Sequence, residues 1–318
     1  MKKPKALILF SGGLDSRLAV KLMQDQDIEI ETIFFKLPFG GGCCNNFECV
    51  LNYAQMQGVK LNVIDCTKSP YFEKYLDVIT NPKFGTGTSI NPCKDCKIFM
   101  FKISKEFMKK IKADFIVTGE VIGQRPMSQL KRYLALTEKE SGLEGLILRP
   151  LSAKLLPETI PEKQGLVDRN KLLAIEGRHR KAQITLAKKY NIKYPLPTGG
   201  CLLCEKSYAP KLKDLLNKNN GIKHEDIQLL SLGRHFRKSG KIIIGKNESQ
   251  NNQLIELNKI LNHNILIKKD SPGPTIIFEN IKDKDLANKM QEVFSTNNLE
   301  SRKQFDKYKI NQGFAFCP

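Results

Sequence analysis

The sequence predicts an α/β protein: a parallel sheet covered by helices, followed by a small linker module and a C-terminal α+β domain. Two observations carry that expectation. From residue 5, short apolar runs alternate with longer mixed stretches, and this alternation stops after Arg149-Pro150. Beyond residue 216 short apolar runs return, now mixed with helical pattern. Alternating strand and helix implies parallel strands, because each long crossover returns the chain to the same edge of the sheet. The expected domains are therefore 1–150, 151–215 and 216–318.

Each element has its own signal. Ala6 to Phe10, Thr32 to Lys36, Leu61 to Asp65 and Phe115 to Thr118 are apolar runs short enough for buried strands. Helices are expected between them, near 15–25, 46–57, 70–80 and 97–112. In the middle module, prolines at 157, 161, 195 and 197 bracket one helical stretch, roughly 168–190, which holds Arg178-His179-Arg180-Lys181. The last domain shows strands at Lys241–Ile244, Asn264–Ile267 and Thr275–Phe278, with a helix near 283–294. Ligands of a parallel sheet sit at the carboxyl ends of its strands.

Composition narrows the partner. With 318 residues and 41% hydrophobic content the chain has ample material for packed cores, and its formal charge of +19 favours a polyanion. RNA, DNA and anionic lipid all satisfy that charge. The N-terminal MKKPKALILF has lysines and an apolar run, but it breaks at once into Ser11-Gly12-Gly13 and reads as a first strand rather than a leader. No apolar stretch approaches the about 20 residues that span a bilayer. A cytoplasmic protein with no membrane partner is expected. Nine cysteines, an odd number, do not suggest a disulfide framework in such a compartment.

Ser11-Gly12-Gly13-Leu14-Asp15-Ser16 follows a strand and opens a helix. Free backbone N–H groups and the helix dipole bind anions there, and glycines admit phosphate oxygens that a Cβ would block. No Gly-Lys-Ser/Thr closes the loop, so it is not a Walker sequence. The string SGGLDS resembles the pyrophosphate loop of the PP-loop ATP pyrophosphatases, a nucleotide-hydrolase-like α/β family. That resemblance implies cleavage of ATP between its α and β phosphates and adenylation of a substrate oxygen. It also implies that Ser11, Gly12, Gly13, Asp15 and Ser16 hold pyrophosphate and Mg²⁺, Asp15 serving the metal rather than acting as a base. Thr118-Gly119-Glu120 followed by Gly123-Gln124 and Ser128-Gln129 resembles a segment of the 4-thiouridine synthetases. Gly119, Gln124 and Phe35 of the second strand join the expected nucleotide site.

Two CxxC pairs, Cys93/Cys96 and Cys201/Cys204, lie far apart in sequence, which points to metal or redox chemistry. Three chemistries stay open: a closed four-cysteine zinc site, persulfide transfer with disulfide formation, and a [4Fe-4S] cluster held by three thiolates. The layout resembles that of cluster-dependent tRNA thiolases, and Asn91-Pro92-Cys93 resembles the catalytic cysteine motif of the tRNA 2-thiouridylases. By resemblance Cys93, Cys96 and Cys201 are the essential three, with Cys93 and Cys201 catalytic. Cys204 departs from the pattern and stands as a possible fourth ligand or resolving thiol. Cys43, Cys44 and Cys49 read as a loop near the active site, and Cys66 and Cys317 as incidental.

Leu232-Gly233-Arg234-His235-Phe236-Arg237 and Ile243-Ile244-Gly245-Lys246-Asn247 resemble the NFACT-R type RNA-binding module, in which such a hairpin ends in a glycine turn. The resemblance implies an ATP-dependent tRNA sulfurtransferase: ATP adenylates a uracil carbonyl and sulfur displaces AMP, at C2 or C4. Arg178, Arg180, Lys181, Arg234, Arg237 and Lys246 are the expected RNA contacts. The sulfur would come from a cysteine desulfurase, a sulfur carrier or free sulfide. Two rivals remain at this stage: a PP-loop enzyme acting on a small molecule with structural zinc, and a non-catalytic RNA-binding protein.

Overall fold

A computed structural model describes residues 3–40, 47–87, 89–195, 200–218, 221–268, 271–296 and 298–310. It divides into two compact units, Met1–Leu202 and Leu203–Pro318. Cys43, Cys44, Cys317 and the Pro197-Thr198-Gly199 string lie outside the described residues.

The first unit runs β1 (Lys5–Leu9), α1 (Leu14–Gln24), β2 (Glu29–Lys36), α2 (Phe47–Met56), β3 (Lys60–Asp65), α3 (Tyr71–Thr80), α4 (Cys93–Lys110), β4 (Phe115–Thr118), α5 (Lys131–Ser141), β5 (Ile147–Leu148), α6 (Ile160–Lys163) and α7 (Lys181–Lys189). Its five strands are parallel, in the order β3-β2-β1-β4-β5. Central β1 pairs Leu7 with Glu31 on one side and Ile116 on the other. Ala6 and Ile8 pack with Leu14, Leu18, Val50, Tyr53 and Ala187 on one face. Leu7 points to the other, with Phe101, Met108 and Leu143. Covering both faces explains why β1 is an unbroken apolar run rather than an alternating one. This is the parallel α/β architecture that the sequence predicts.

Local differences from expectation have physical causes. β2 starts at Glu29, not Thr32, because Glu31 can enter the sheet with its carboxylate held by Lys5 (3.0 Å), Lys60 (3.4 Å) and Asn62 (3.0 Å). α4 begins at Cys93, not 97: the Cys96 amide closes the first turn on the Pro92 carbonyl, 2.8 Å away. The helix expected at 168–190 is only α7. Arg169–Lys171 form a 3-10 turn, and Gly177 takes φ +85° while its amide donates to the Ile122 carbonyl at 2.7 Å. Glu176 bridges Ile122 in parallel, so the chain bends at Gly177 and Arg178, and Arg180 takes the N-cap position of α7.

The second unit contains α8 (Ala209–Lys218), α9 (His224–Leu229), β6 (Arg234–Arg237), β7 (Lys241–Ile244), α10 (Glu248–Leu261), β8 (Asn264–Leu266), β9 (Ile276–Phe278), α11 (Lys284–Ser295) and α12 (Leu299–Arg302). Its antiparallel sheet has the order β6-β7-β9-β8. Phe236, Ile242, Ile244 and Phe278 face Met290 of α11, and Ile243 and Ile277 face Leu254 of α10. The β6–β7 turn is Lys238–Gly240, whose Gly240 amide donates to Asp283 at 2.8 Å. Gly245-Lys246-Asn247, expected as the hairpin turn, instead leads into α10, with Asn247 accepting the Gln250 amide at 2.9 Å. Among the described residues no helix is long and apolar enough to cross a membrane.

Candidate functional site: a phosphate loop and a group of thiols at one sheet edge

β1 ends at Leu9 and α1 begins at Leu14, so Ser11-Gly12-Gly13 forms a tight turn at the carboxyl edge of the central strand. The amides of Leu14, Asp15 and Ser16 belong to the first turn of α1 and have no intrahelical acceptor. The Arg17 amide is the first to bond back, to the Gly13 carbonyl at 3.1 Å. Gly12 needs its missing side chain twice over: φ is +76°, and a Cβ would sit 2.7 Å from Val50 Cγ2. Ser16 Oγ donates to the Gly13 carbonyl at 2.9 Å and lies 3.3 Å from Ser11 Oγ.

Arg17, which the sequence reading passed over, fastens this turn. It is buried, and its Nε donates to the Gly12 carbonyl at 2.7 Å. Nη1 donates to the Lys193 carbonyl at 2.8 Å and Nη2 contacts Cys49 Sγ at 3.1 Å. Its guanidinium stacks 4.3 Å over Tyr53, whose phenol is pushed up to about 12 by burial despite the Arg17 charge and so stays a neutral donor. An arginine among the apolar positions of an otherwise buried helix face was the available signal. Cys49 thus meets the arginine that braces the turn, but from helix α2 rather than from a loop.

Asp15 projects from the first turn of α1. Its Oδ2 accepts from Gln124 Nε2 at 2.8 Å and lies 3.4 Å from Arg180 Nη2. Gln124 is itself held by fully buried Gln183, whose Nε2 donates to Gln124 Oε1 at 3.0 Å. The structure therefore brings Gln124 to the loop and takes Arg180, expected on RNA, to Asp15. Asp15 Oδ1 is buried without a hydrogen-bond partner among the described residues, a hard oxygen of the kind Mg²⁺ takes. Gly119 has a packing reason: a Cβ there would lie 2.6 Å from the Asp15 carbonyl carbon and the Ser16 nitrogen. Phe35 packs with Phe101 and Cys66 on the α4 face and is 7% exposed, so it offers a ligand little surface.

Glu120, beside Gly119, is buried, and burial alone would raise its carboxyl. Lys97 and Arg149 overcome that and hold it below the ordinary carboxylate range. Lys97 Nζ lies 3.2 Å and Arg149 Nε 3.0 Å from its two oxygens, and Arg149 also pairs with Glu138. Lys97 directly follows Cys96, so this network ties the end of β4 to the helix that carries the first cysteine pair.

A crossover helix runs antiparallel to its strand, so the N-terminus of α4 lies at the same edge as the phosphate loop. Cys93 and Cys96 occupy its first turn. Asn91 Nδ2 donates to Cys93 Sγ at 3.2 Å. Tyr75 lies fully buried against Phe39 and Phe99, and its hydroxyl is 3.2 Å from Cys96 Sγ. Burial, then the thiols of Cys96, Cys201 and Cys66 around it, push that phenol far above its ordinary value. Half-buried Cys201 is drawn in by Leu202, whose amide donates to the Phe39 carbonyl at 3.1 Å. Cys66, expected to be incidental, follows β3 and packs in the core; burial and the Cys96 thiol push it up to about 12. Cys204 is exposed and falls in the second unit.

Soft thiolates suit zinc or iron-sulfur chemistry, but among the described residues no three Cys, His, Asp or Glu side chains are grouped to hold a metal ion. As arranged here, Cys93, Cys96 and Cys201 do not form a ligand set.

Of the other expected RNA contacts, Arg178, Lys181 and Lys246 are exposed. Arg234 lies over the Phe294 ring at 5.5 Å. Arg237 is taken up by Asp214, 2.8 Å from Nη2, and by Glu279 at 3.7 Å. His235 is buried with Nε2 2.8 Å from the Leu232 carbonyl, a structural contact rather than a stacking surface.

Comparison with known proteins bears on this geometry. Residues 2–155 match the family described as thiamine biosynthesis protein (ThiI). The tRNA-specific 2-thiouridylase MnmA of Sulfurimonas denitrificans is 30% identical over 123 residues, 37% of this chain and 35% of that protein, so the chain spans about a third of that relative's length. The 2-thiouridylase MnmA of Clostridioides difficile is 25% identical over 286 residues, covering 84% of this chain and 78% of that one. A solved 4-thiouridine synthetase–RNA complex with bound ATP is 20% identical, with a TM-score of 0.42 over 71% of this chain and 52% of that one. With the glycine turn between β1 and α1 and Asp15 in the helix's first turn, the first unit is a parallel α/β domain similar over residues 2–155 to the thiamine biosynthesis protein (ThiI) family and, over about a third of the chain, to the tRNA 2-thiouridylases.

Proposed function

We propose that this chain is an ATP-dependent tRNA sulfurtransferase that adenylates a uracil carbonyl and replaces its oxygen with sulfur. The observation that carries the proposal is the placement of an anion-binding turn and a group of thiols at one carboxyl edge of one sheet. A small-molecule PP-loop enzyme would need the turn but not three thiols beside it. The similarity to 2-thiouridylases over residues shared with this domain supports the substrate class.

In this reading the N–H groups of Leu14, Asp15 and Ser16 receive the pyrophosphate end of ATP. Asp15 Oδ1 and the phosphate oxygens would hold Mg²⁺, which supplies charge neutralisation when bound. The uracil must leave its stack to reach the edge, which the chain's +19 charge assists by holding the surrounding phosphates. Sulfur then arrives as a persulfide on Cys93 or Cys201. Its terminal sulfur bonds to the activated carbon as AMP departs. A second thiolate attacks the carrier cysteine's sulfur, releasing thiouridine and leaving an enzyme disulfide that an external thiol reduces. A [4Fe-4S] cluster on Cys93, Cys96 and Cys201 would require those thiols to close together.

Pyrophosphate release from ATP, measured with and without tRNA, tests the proposal. Release stimulated by tRNA is expected. ATP turnover indifferent to tRNA but stimulated by a small amide or acid would support the small-molecule alternative instead.

A further inference from the structure

Three buried polar atoms beside the phosphate loop lack hydrogen-bond partners among the described residues: Asp15 Oδ1, Arg180 Nε and Gln183 Oε1. They come from one connected group. Gln183 is 0% exposed and donates to Gln124, which leaves Gln124 only its amide nitrogen to offer Asp15. Arg180 reaches the same Asp15 oxygen at a long 3.4 Å with its Nε unused. The segment carrying it is pinned by the Gly177–Ile122 bond, and Ser152 Oγ, which accepts the Ile122 amide, donates to the Ile175 carbonyl at 2.6 Å.

An unpaired carboxylate oxygen calls for a cation or a donor, and an unpaired guanidinium N–H calls for an anion. Set side by side at the N-terminus of the 11-residue α1, they are the complement of a metal-bound pyrophosphate. A phosphate contact on RNA alone would explain the arginine but not the carboxylate and buried glutamines that meet it.

We propose that Arg180 and Gln183, which lie beyond the family-matched stretch of residues 2–155, complete the nucleotide site. Arg180 binds the β-phosphate of ATP. Gln183 is a positioning residue that fixes Gln124 and, through it, the Asp15 carboxylate that faces Mg²⁺. This rests on the ATP-pyrophosphatase reading above. In the step concerned, the uracil oxygen bonds to the α-phosphorus as the bond from that phosphorus to the α,β-bridging oxygen breaks. The electron pair leaves on pyrophosphate, where Arg180 meets the growing charge, and the uracil N3 proton goes to solvent.

The test is calorimetric titration of the full chain with pyrophosphate, with and without Mg²⁺, beside a tRNA-binding measurement. Arg180→Ala should weaken pyrophosphate binding by about tenfold or more, with Arg180→Lys intermediate and tRNA affinity within about twofold of wild type. Gln183→Leu should weaken the Mg²⁺-dependent part and leave metal-free binding unchanged. Circular dichroism and melting curves establish that each variant is folded, and the lysine variant serves if the alanine one is not. Pyrophosphate affinity unchanged in both arginine variants, or tRNA affinity lost in its place, overturns the assignment. If wild type binds pyrophosphate through Arg180 yet tRNA stimulates no release, the assignment stands and the thiolation reading falls.

Discussion

The phosphate turn and the thiol group share one edge of one sheet but are held very differently. The turn is fixed by a buried arginine bonded to its backbone, by two glycines that neighbouring atoms force to be glycine, and by a carboxylate that accepts from Gln124 and Arg180. The thiols meet neutral groups instead: Asn91 at Cys93, the Tyr75 hydroxyl at Cys96, and the Leu202 amide, bonded to the Phe39 carbonyl, beside Cys201. A nucleotide site must present its donors before the ligand arrives, since preorganisation is what makes a phosphate cradle bind. A sulfur carrier must let one sulfur approach another and then withdraw. The contrast matches the demands of the two proposed chemistries, and it can be broken one side at a time.

The largest effect is expected at the rigid side. Arg17→Ala removes a buried guanidinium and leaves the Gly12 and Lys193 carbonyls without donors, which costs about 3 kcal/mol or more. The melting temperature should fall and ATP binding should disappear together. A variant that melts normally yet binds no ATP would mean that the arginine touches nucleotide rather than bracing the turn.

Gly119→Ala comes next. Its methyl would meet the α1 backbone at 2.6 Å, and backbone cannot swing away as a side chain can. A loss of about 1–3 kcal/mol and a weakened pyrophosphate affinity should appear, read by denaturant midpoint and calorimetry. Unchanged values for both would show that the two segments separate freely.

The Glu120 network joins the two sides and makes stability depend on pH. Its carboxyl is held below the ordinary range in the folded chain, so its contribution is fully present above the unfolded carboxylate pKa, about 4.5. The contribution is lost as pH falls through the lower folded value. Glu120→Gln should destabilise the protein at neutral pH by taking the negative charge from between Lys97 and buried Arg149, which keeps only Glu138, and the gap between variant and wild type should close in acid. Parallel melting curves at every pH would refute a role for the charge.

The smallest effect on stability belongs to the thiol side. Tyr75→Phe removes one hydrogen bond and should cost about 1 kcal/mol while leaving ATP binding intact. Sulfur transfer should slow, because the Tyr75 hydroxyl that lies 3.2 Å from Cys96 Sγ is gone. Equal transfer rates would show that the tyrosine only fills the core.

The sequence made the phosphate turn far more legible than the surroundings of the thiols. Apolar runs of four to six residues reveal buried strands because sheets covered on both faces leave no other pattern, and SGGLDS sits where a strand must turn into a helix. β5 was missed because two residues, Ile147 and Leu148, carry no periodicity. The helix expected from 168 fails at Gly177, whose bond to Ile122 is a tertiary choice that no local pattern encodes. Arg180 read as one more cation in a basic string, since which charge meets Asp15 depends on that same bend. Cys66 read as incidental and Tyr75 carried no signal, and their nearness to Cys96 is visible only once α3, β3 and α4 are packed.

The most direct test of the account is a single incubation of the purified chain with tRNA, ATP, Mg²⁺ and a sulfur source, with nucleosides analysed by mass spectrometry. The account predicts 2-thiouridine or 4-thiouridine formed only with ATP. It also predicts that Cys201→Ala abolishes the thionucleoside while tRNA-stimulated pyrophosphate release continues. Pyrophosphate release with no thionucleoside from the wild-type chain, or thiolation that proceeds without ATP, would contradict it.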